Sequence, residues 1–179
     1  MTKEMPTFKY HPDPVRSEVI VARDGICLCC GQARGFMYVG PAFTTHREVR
    51  DNIGPWCIAD GSAAKKYDAY FPGPQTLLKA GIARKIVDEV TKRTPGYFCW
   101  QSDHWQSHCN DACVFHGDAT VEDIAKAAPS TIDAWKAEYT MTDEDWGTFA
   151  DGYEPKGHAA FYKFVCRHCG QVLLSWDMD

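Results

Sequence analysis

Four short runs of apolar residues stand in two pairs, one pair near each end of the chain. SEVIVA and GFMYVG flank residues 23–34, and AAFYKFV and VLLSW flank residues 166–171. Each run is rich in β-branched and aromatic residues, which favour extended strands. The pattern therefore predicts a pair of antiparallel strands at each end of the chain.

The middle of the chain has a helical pattern. A helix is predicted over residues 55–67, beginning at Pro55, with a weak point at Asp60-Gly61. A single amphipathic helix is predicted over residues 77–93, because apolar residues recur there every four positions. Those apolar residues are Leu78, Ile82, Ile86 and Val90.

Further helical segments follow. The aromatic residues between positions 98 and 108 predict a short helix packed through its rings. Residues 120–146 predict helical pieces separated by a break at Pro129, with Ser130 as a cap and a further start at Thr142.

Composition and charge narrow the class of protein. The chain has 179 residues, of which 45% are apolar and 24% charged, values that are ordinary for a globular domain. It has no apolar run of about eighteen residues, so no membrane partner is expected. The first residues, MTKEMPTFKYHPDP, contain no hydrophobic signal segment, which predicts a cytoplasmic protein. A net charge of −5 argues against direct binding to nucleic acid.

Two matching cysteine motifs carry the clearest chemistry. Residues 27–32 and residues 166–171 both have the pattern Cys-x-x-Cys-Gly-Gln, and each lies between two predicted strands. Two thiolates at this spacing can occupy two corners of a zinc tetrahedron, and the glycine suits the tight reversal of the chain. We therefore predict one Zn²⁺ shared by the two motifs. Its ligands would be Cys27, Cys30, Cys166 and Cys169.

This arrangement defines the expected fold. Residues 1–179 are predicted to form a single α+β domain, with zinc-ribbon-like antiparallel strands from both chain ends and a helical middle region. Four thiolates around one ion would close the site and give the metal a structural role. The alternative is that some of these cysteines are ordinary buried thiols.

A further metal site is a weaker prediction. On a helix, Cys109 and Cys113 would lie on one face, where such a pair either ligates metal or packs in the core. The candidate ligands for this site are Cys57, His108, Cys109 and Cys113.

An acidic helical segment occupies residues 118–157. The stretch from Asp118 to Glu154 contains ten acidic residues and only two basic ones, Lys126 and Lys136, which gives it a net charge of −8. It is either a solvated helical surface or a binding face for a basic partner, with aromatic residues as anchors. The candidate contact residues are Glu122, Asp123, Asp133, Trp135, Glu138, Tyr139, Asp143, Glu144, Asp145 and Trp146.

The order of the motifs resembles the bacterial CbrC family. The likeness rests on PTFKYHPDP, CLCCGQ, PWCIADGSAAKKYDAYF, KRTPGYFCWQSDHWQSHCNDAC and FVCRHCGQ, and covers positions 5–71, 87–117 and 158–171. The family is associated with tolerance of nuclease colicins, and its relatives look like immunity proteins. The resemblance also implies a cysteine before Pro55, where this chain has Gly54. A site built on that motif would have lost a ligand here.

Three functions follow as alternatives. The leading expectation is a non-enzymatic, zinc-stabilised immunity protein that binds and neutralises a basic protein toxin, such as a nuclease. The second is a zinc hydrolase or thiol redox enzyme. Its residues would be Cys57, Asp60, His104, His108 and Cys109.

The third alternative is a zinc-ribbon adaptor for nucleic acid or transcription machinery. It would use a modest basic stretch that Asp88 and Glu89 interrupt. That stretch consists of Lys79, Arg84, Lys85, Lys92 and Arg93. The sequence leaves the oligomeric state open.

Overall fold

The computed structural model describes residues 4–178. Near the N terminus, strand β1 (Ile20–Ala22) pairs antiparallel with β2 (Phe36–Tyr38), with Val21 opposite Met37. A short 3-10 turn at Arg47–Val49 follows. The strands predicted on either side of the first cysteine motif are present and paired.

Two short helices follow the 3-10 turn. Helix α1 (Pro55–Ala59) and helix α2 (Ser62–Tyr67) are separated at Gly61, which has φ of +78°. This left-handed conformation is accessible to glycine at little cost and cannot continue a helix. The weak point expected at Asp60-Gly61 is therefore a true helix break.

The single helix predicted over residues 77–93 is two helices. Helix α3 (Gln75–Lys79) ends before Gly81, which has φ of +70°, and helix α4 (Arg84–Arg93) begins three residues later. The four-residue spacing of apolar positions persists across this break, which is why the pattern alone did not reveal it.

The short helix predicted between positions 98 and 108 is wrong, because residues 98–106 lie in neither a helix nor a strand. Strand β3 (Ser107–His108) and strand β4 (Asp111–Ala112) form a tight hairpin directly after them. The two turn residues, Cys109 and Asn110, have φ of +51° and +58°. Positive φ at both central positions is typical of a two-residue hairpin turn and incompatible with a helix.

The last three strands form an antiparallel sheet. Its order is β5 (Val114–Asp118), β6 (Ala159–Val165) and β7 (Val172–Met178). Strands β6 and β7 agree with the predicted runs. Strand β5 was not predicted, since its apolar residues are interrupted by His116 and Gly117.

Three helices lie within the acidic segment. They are α5 (Val121–Ala125), α6 (Pro129–Tyr139) and α7 (Asp143–Ala150). Thr120 and Thr142 each form a capping box with the aspartate three residues later, as the sequence indicated for Thr142. Helix α6 begins at Pro129 with Ala128 as its cap, so the cap predicted at Ser130 is wrong.

Among residues 4–178, the buried side chains form three clusters. One lies around the first strand pair and α1–α2, a second lies beneath α4 and one face of the three-stranded sheet, and a third lies between that sheet and α6–α7. The predicted α+β class with small antiparallel sheets is confirmed. In residues 4–178, no helix is both long and apolar enough to cross a membrane.

Candidate metal centres

The two cysteine motifs fold into the same turn. In the first, which we call the N-terminal knuckle (residues 27–32), Gly31 N donates to Cys27 O at 2.7 Å and Cys27 N donates to Gln32 O at 3.0 Å. The C-terminal knuckle (residues 166–171) repeats both bonds, at 3.0 and 2.8 Å. The glycine has φ of +71° in the first knuckle and +76° in the second. A residue with a Cβ would be strained there, which accounts for glycine at this motif position.

Three thiols meet at the N-terminal knuckle. The Sγ atoms of Cys27, Cys30 and Cys57 all lie within 4.8 Å of one another, and we call this group the N-terminal site. Cys27 and Cys57 are buried with their Sγ atoms 3.7 Å apart, whereas Cys30 is exposed. Helix α1 supplies Cys57, and Gly54 N, just before that helix, donates to Cys27 Sγ at 3.1 Å.

Backbone amides prepare one of these thiols for ionisation. Burial raises the pKa of Cys27, but the N–H groups of Gly54, Cys30 and Cys29 outweigh burial and hold its pKa below the usual value. Burial raises the pKa of Cys57 well above its usual value. A cation at the centre of the group would compensate the burial of both sulfurs.

Four candidate ligands meet at the C-terminal knuckle. Atoms of His108, Cys109, Cys166 and Cys169 lie within 4.8 Å of one another, and we call this group the C-terminal site. His108 Nδ1 is 3.2 Å from Cys109 Sγ and 3.3 Å from Cys169 Sγ, and the two sulfurs are 3.8 Å apart. The β3–β4 hairpin therefore brings an imidazole and a thiol to the two cysteines of the knuckle.

A buried carboxylate braces the C-terminal site. Asp111, opposite His108 in the hairpin, accepts from Tyr10 Oη at 2.6 Å. Its other oxygen contacts His168 Nε2 at 3.0 Å and Arg167 Nη1 at 3.2 Å, and both of these residues lie inside the knuckle. Burial raises the pKa of Asp111, but the hydrogen bonds from Tyr10 and His168 outweigh it and leave the pKa lowered. The ionised carboxylate thus ties the hairpin, the knuckle and the N-terminal arm together.

The single ion predicted between the two motifs is not what the structure supports. Cys27 and Cys30 lie in one group and Cys166 and Cys169 in the other. The strands that carry the two knuckles belong to different sheets, β1–β2 and β5–β6–β7. Because each knuckle finds its remaining ligands elsewhere, the described part of the chain holds two candidate metal centres.

The further site predicted from the middle of the chain is divided between these centres. Cys57 joins the N-terminal site, and His108 and Cys109 join the C-terminal site. Cys113 is fully buried in the core and belongs to neither group. Its backbone bonds to Gln106 O and Trp105 Nε1 fix it in the packing just beyond the hairpin.

Of the aromatic anchors predicted in the acidic segment, Trp135 is buried in the core, and Tyr139 and Trp146 are partly buried against the same cluster. Trp135 is 1% exposed and packs with Trp146 and Phe161, with ring centroids 5.3 and 5.8 Å away. Tyr139 Oη accepts from Trp176 N at 3.0 Å on strand β7. Trp135 therefore packs inside the fold and is not exposed to a partner, whereas Tyr139 and Trp146 keep part of their surface exposed.

Most of the acidic side chains proposed for partner binding already have contacts within the chain. Lys136 lies 3.0 Å from Asp133 and 2.6 Å from Asp143, and Asp145 caps α7 by accepting from Thr142 N at 2.7 Å. The remaining pairs are Glu122 with Lys126, Asp123 with Lys163 and Glu138 with His104. Of the predicted contact acids, Glu144 has no ion pair among residues 4–178.

Other residues proposed for chemistry or nucleic-acid binding are dispersed. His104 contacts Glu138 and Asp60 caps the backbone of Ser62, so neither joins a metal group. The basic stretch on α4 is largely neutralised by two acids of the same helix. Arg84 and Lys92 pair with Asp88, and Arg93 pairs with Glu89.

Comparison with known proteins identifies the family to which this chain belongs. The family model described as an uncharacterised protein family, UPF0167, matches residues 5–178. The chain belongs to the UPF0167 family. It is 42% identical to a UPF0167 protein of Pseudomonas aeruginosa, over 100% of this chain and 99% of that protein. UPF0167 proteins of Mycobacterium bovis and Mycobacterium tuberculosis are each 36% identical, over 98% of this chain and 94% of theirs.

The resemblance to the CbrC family is therefore corrected. The family that matches almost the whole chain is UPF0167, and the related proteins carry that name. What the earlier resemblance implied about colicin tolerance and about a missing cysteine at position 54 loses its support with it. No solved structure matches the chain.

Proposed function

We propose that the protein binds two zinc ions and acts through binding rather than catalysis. The observation that carries the proposal is the spacing of the sulfur atoms. A zinc–sulfur bond of about 2.3 Å gives a tetrahedron with edges of about 3.8 Å. The Sγ atoms of Cys27 and Cys57 are 3.7 Å apart in the N-terminal site, and those of Cys109 and Cys169 are 3.8 Å apart in the C-terminal site.

The ligand types support zinc at both centres. Thiolates with an imidazole are the ligands of structural zinc sites, and hard ions such as magnesium and calcium prefer oxygen ligands instead. Neither group includes a carboxylate among residues 4–178. In the C-terminal site, Cys109, Cys166, Cys169 and His108 would complete the coordination of one ion and leave no position open.

The surroundings of the N-terminal site support a binding role. A hydrolytic zinc site needs a general base within hydrogen-bond reach of the attacked or attacking group. Within residues 4–178, the side chains around the small enclosed space beside this site include Gln32, Arg34, Phe36 and Trp56 and no carboxylate or imidazole. This favours a role for the site in holding a ligand or stabilising the fold.

Metal stoichiometry tests the proposal. The protein, purified without chelators, is expected to carry two zinc ions per chain by native mass spectrometry. Cys30→Ser and Cys169→Ser alter equivalent cysteines of the two knuckles and should each remove one ion while leaving the other. A single ion that either substitution removes would contradict the proposal and restore the shared site.

The acidic segment supports a second candidate, binding of a basic protein toxin such as a nuclease. The support is the net charge of −8 between positions 118 and 154 and the exposure of Glu144, Asp151 and Glu154 at its surface. Clustered charge of one sign accelerates association with an oppositely charged partner, most strongly at low salt. Reversal of these three charges should slow association with basic bacterial nuclease domains at low ionic strength. An unchanged association rate would eliminate this face as a docking surface.

A further inference from the structure

A cleft of about 570 Å³ is lined by residues of β5 and β6 and by loop residues from both halves of the chain. The loop residues lie within positions 13–18, 97–100, 119–120 and 155–156. None of the residues that line the cleft belongs to the N-terminal or the C-terminal site. Sites for small molecules have volumes of roughly 300–1,000 Å³, so this cleft has room for a ligand with two fused rings.

The wall of the cleft is rich in aromatic rings. Tyr97 and Phe115 are buried and stacked, with ring centroids 4.5 Å apart, and the ring centroid of Tyr162 lies 4.9 Å from that of Tyr97. Phe98 and Trp100 also line the cleft, yet they are 52% and 46% exposed. A flat ring system would cover this exposed aromatic surface, since aromatic rings pack favourably face to face with an offset or edge to face.

A β-bulge places a carboxylate on the same side of the sheet. In the ladder between β5 and β6, Phe115 is opposite Phe164. Asp118 is opposite Tyr162, so three steps along β5 match two steps along β6. Directly opposite residues of antiparallel strands have their side chains on the same face, so Asp118 shares the face of Tyr162, which lines the cleft. Without the extra residue of the bulge, Phe115 and Asp118 would lie on opposite faces.

The carboxylate of Asp118 has no partner within residues 4–178. The side chain is half-buried, and it forms no ion pair or hydrogen bond in this part of the chain. Burial raises the pKa of Asp118, and the positive charge of Lys156 offsets this only in part. Lys156 Nζ lies 3.1 Å from both carboxylate oxygens of Glu18. A carboxylate that is withdrawn from water without a partner favours the approach of a cation.

The other charged groups of the cleft also favour a cationic ligand. Three carboxylates and two cationic side chains line it. The acids are Asp13, Glu18 and Asp118, and the bases are Arg16 and Lys156. His116 is a further lining residue, and burial with the nearby positive charges lowers its pKa, so that it is uncharged at neutral pH. Acidic groups are therefore in excess, which complements a positively charged ligand.

We propose that the cleft binds a small aromatic amine, with its rings on Phe98 and Trp100 and its ammonium group on the Asp118 carboxylate. An ammonium group is attracted to the faces of aromatic rings and forms charge-assisted hydrogen bonds with a carboxylate. Binding is non-covalent, and no proton or electron is transferred. The inference goes beyond the proposed function and does not depend on it, because the cleft and the two metal groups share no residue.

Three matched probes test the charge of the ligand. Tryptamine, tryptophol and indole-3-propionate share an indole ring and a two-carbon chain, and they end in an ammonium, a hydroxyl and a carboxylate. Each is titrated into the full chain at neutral pH and followed by calorimetry. We expect tryptamine to bind about tenfold more tightly than tryptophol, as for one charge-assisted hydrogen bond. Indole-3-propionate should bind more weakly than both.

Three variants assign the binding to the proposed contacts. Asp118→Asn keeps the shape of the side chain and should lower the affinity for tryptamine to that for tryptophol. Because the carboxylate has no partner to lose, this variant should remain folded. Trp100→Ala should weaken both probes about fivefold and preserve the ratio between them. Asp24→Asn alters an exposed aspartate outside the cleft, serves as the matched control and should change neither affinity.

Equal affinities for tryptamine and tryptophol would overturn the inference, as would a preference that Asp118→Asn leaves unchanged. Tighter binding of indole-3-propionate would also overturn it and would assign the cleft to an anionic ligand on Arg16. The absence of saturable binding for all three probes would overturn it as well. The zinc content of the same samples is measured separately, so a failure of the proposed function is distinguished from a failure of this inference.

Discussion

The two candidate metal centres begin from the same six-residue motif and end as different sites. The N-terminal knuckle gains one thiol, from Cys57 at the start of a helix. The C-terminal knuckle gains a thiol and an imidazole from a two-residue hairpin turn. The motif supplies half of a site in each case, and the rest of the fold determines the number and kind of the other ligands.

The residues that surround the two sites differ as well. The N-terminal site lies next to Arg34, a cation without an ion pair among residues 4–178, and one of its sulfurs is exposed. The C-terminal site lies next to the buried carboxylate of Asp111, which has four partners. We therefore expect the C-terminal site to contribute more to the stability of the fold than the N-terminal site.

The largest expected difference is in stability. Cys169→Ser should lower the free energy of unfolding by about 3 kcal/mol, or about 10 °C in Tm, because the C-terminal site joins Cys109 to a knuckle 60 positions away in the chain. The equivalent change Cys30→Ser should cost about 1 kcal/mol, since Cys27 and Cys57 remain packed in a buried apolar cluster. Calorimetric unfolding of both variants with zinc present measures the contrast. Equal losses in the free energy of unfolding would show that the two sites contribute equally to stability.

A smaller effect, on metal affinity, is expected from a substitution of Asp111 alone. Asp111→Asn should weaken metal binding at the C-terminal site about tenfold and leave the N-terminal site unchanged, because outer hydrogen bonds hold metal ligands in position. Asparagine keeps the shape and can still accept from Tyr10, but it loses the charge that His168 and Arg167 contact. Competition with a chelator, with Asp60→Asn as the control, measures the affinities. An equal loss at both sites would mean that Asp111 acts through general stability.

A pH-dependent effect, separate from the metal sites, is expected from His11 near the start of the chain. His11 is buried, with Nδ1 3.0 Å from Pro95 O and Nε2 2.7 Å from Ser17 Oγ, and burial lowers its pKa to about 4. An unfolded histidine has a pKa of 6.5, so the unfolded chain binds a proton first as the pH falls. The stability from neutral His11 is complete above pH 6.5 and decreases toward pH 4, by up to about 1.4 kcal/mol per pH unit.

Urea unfolding across this range measures that dependence. His11→Gln should flatten it by about one proton, whatever the variant costs at neutral pH. A wild-type curve of the same slope as the variant would show that His11 becomes charged without opening its packing. Loss of metal with falling pH is monitored in parallel, so that protonation of the ligands is distinguished from protonation of His11.

Much of the secondary structure could be predicted from local patterns. Strands β6 and β7 were evident from AAFYKFV and VLLSW, and the capping box at Thr142 marked the start of α7. The hairpin at Cys109-Asn110 was missed because neither residue is glycine, although both adopt positive φ. Helix periodicity extended through Gly81 because a break of a few residues does not disturb a four-residue spacing.

The candidate sites were harder to predict than their ligands. Every ligand in both groups was a sequence candidate, but their assignment to one shared ion was wrong. Spacing within a motif fixes a pair of ligands, whereas the second pair depends on which strands share a sheet. A histidine and a cysteine at the tip of a predicted hairpin would have been the signal for the C-terminal site. The buried state of Trp135 was likewise inaccessible, because charged neighbours in sequence lie on the opposite face of its helix.

The location of the N-terminal ligands along the chain has a consequence for biosynthesis. Cys27, Cys30 and Cys57 all leave the ribosome about a hundred residues before Cys166 and Cys169. At about 10 residues per second, this gives the nascent chain roughly ten seconds to gather its first three thiols around an ion. Two identical knuckles released together could capture one ion between them and misfold. Under the proposed zinc binding, the order of synthesis avoids that competition, because the early knuckle can bind its ion before the late one emerges.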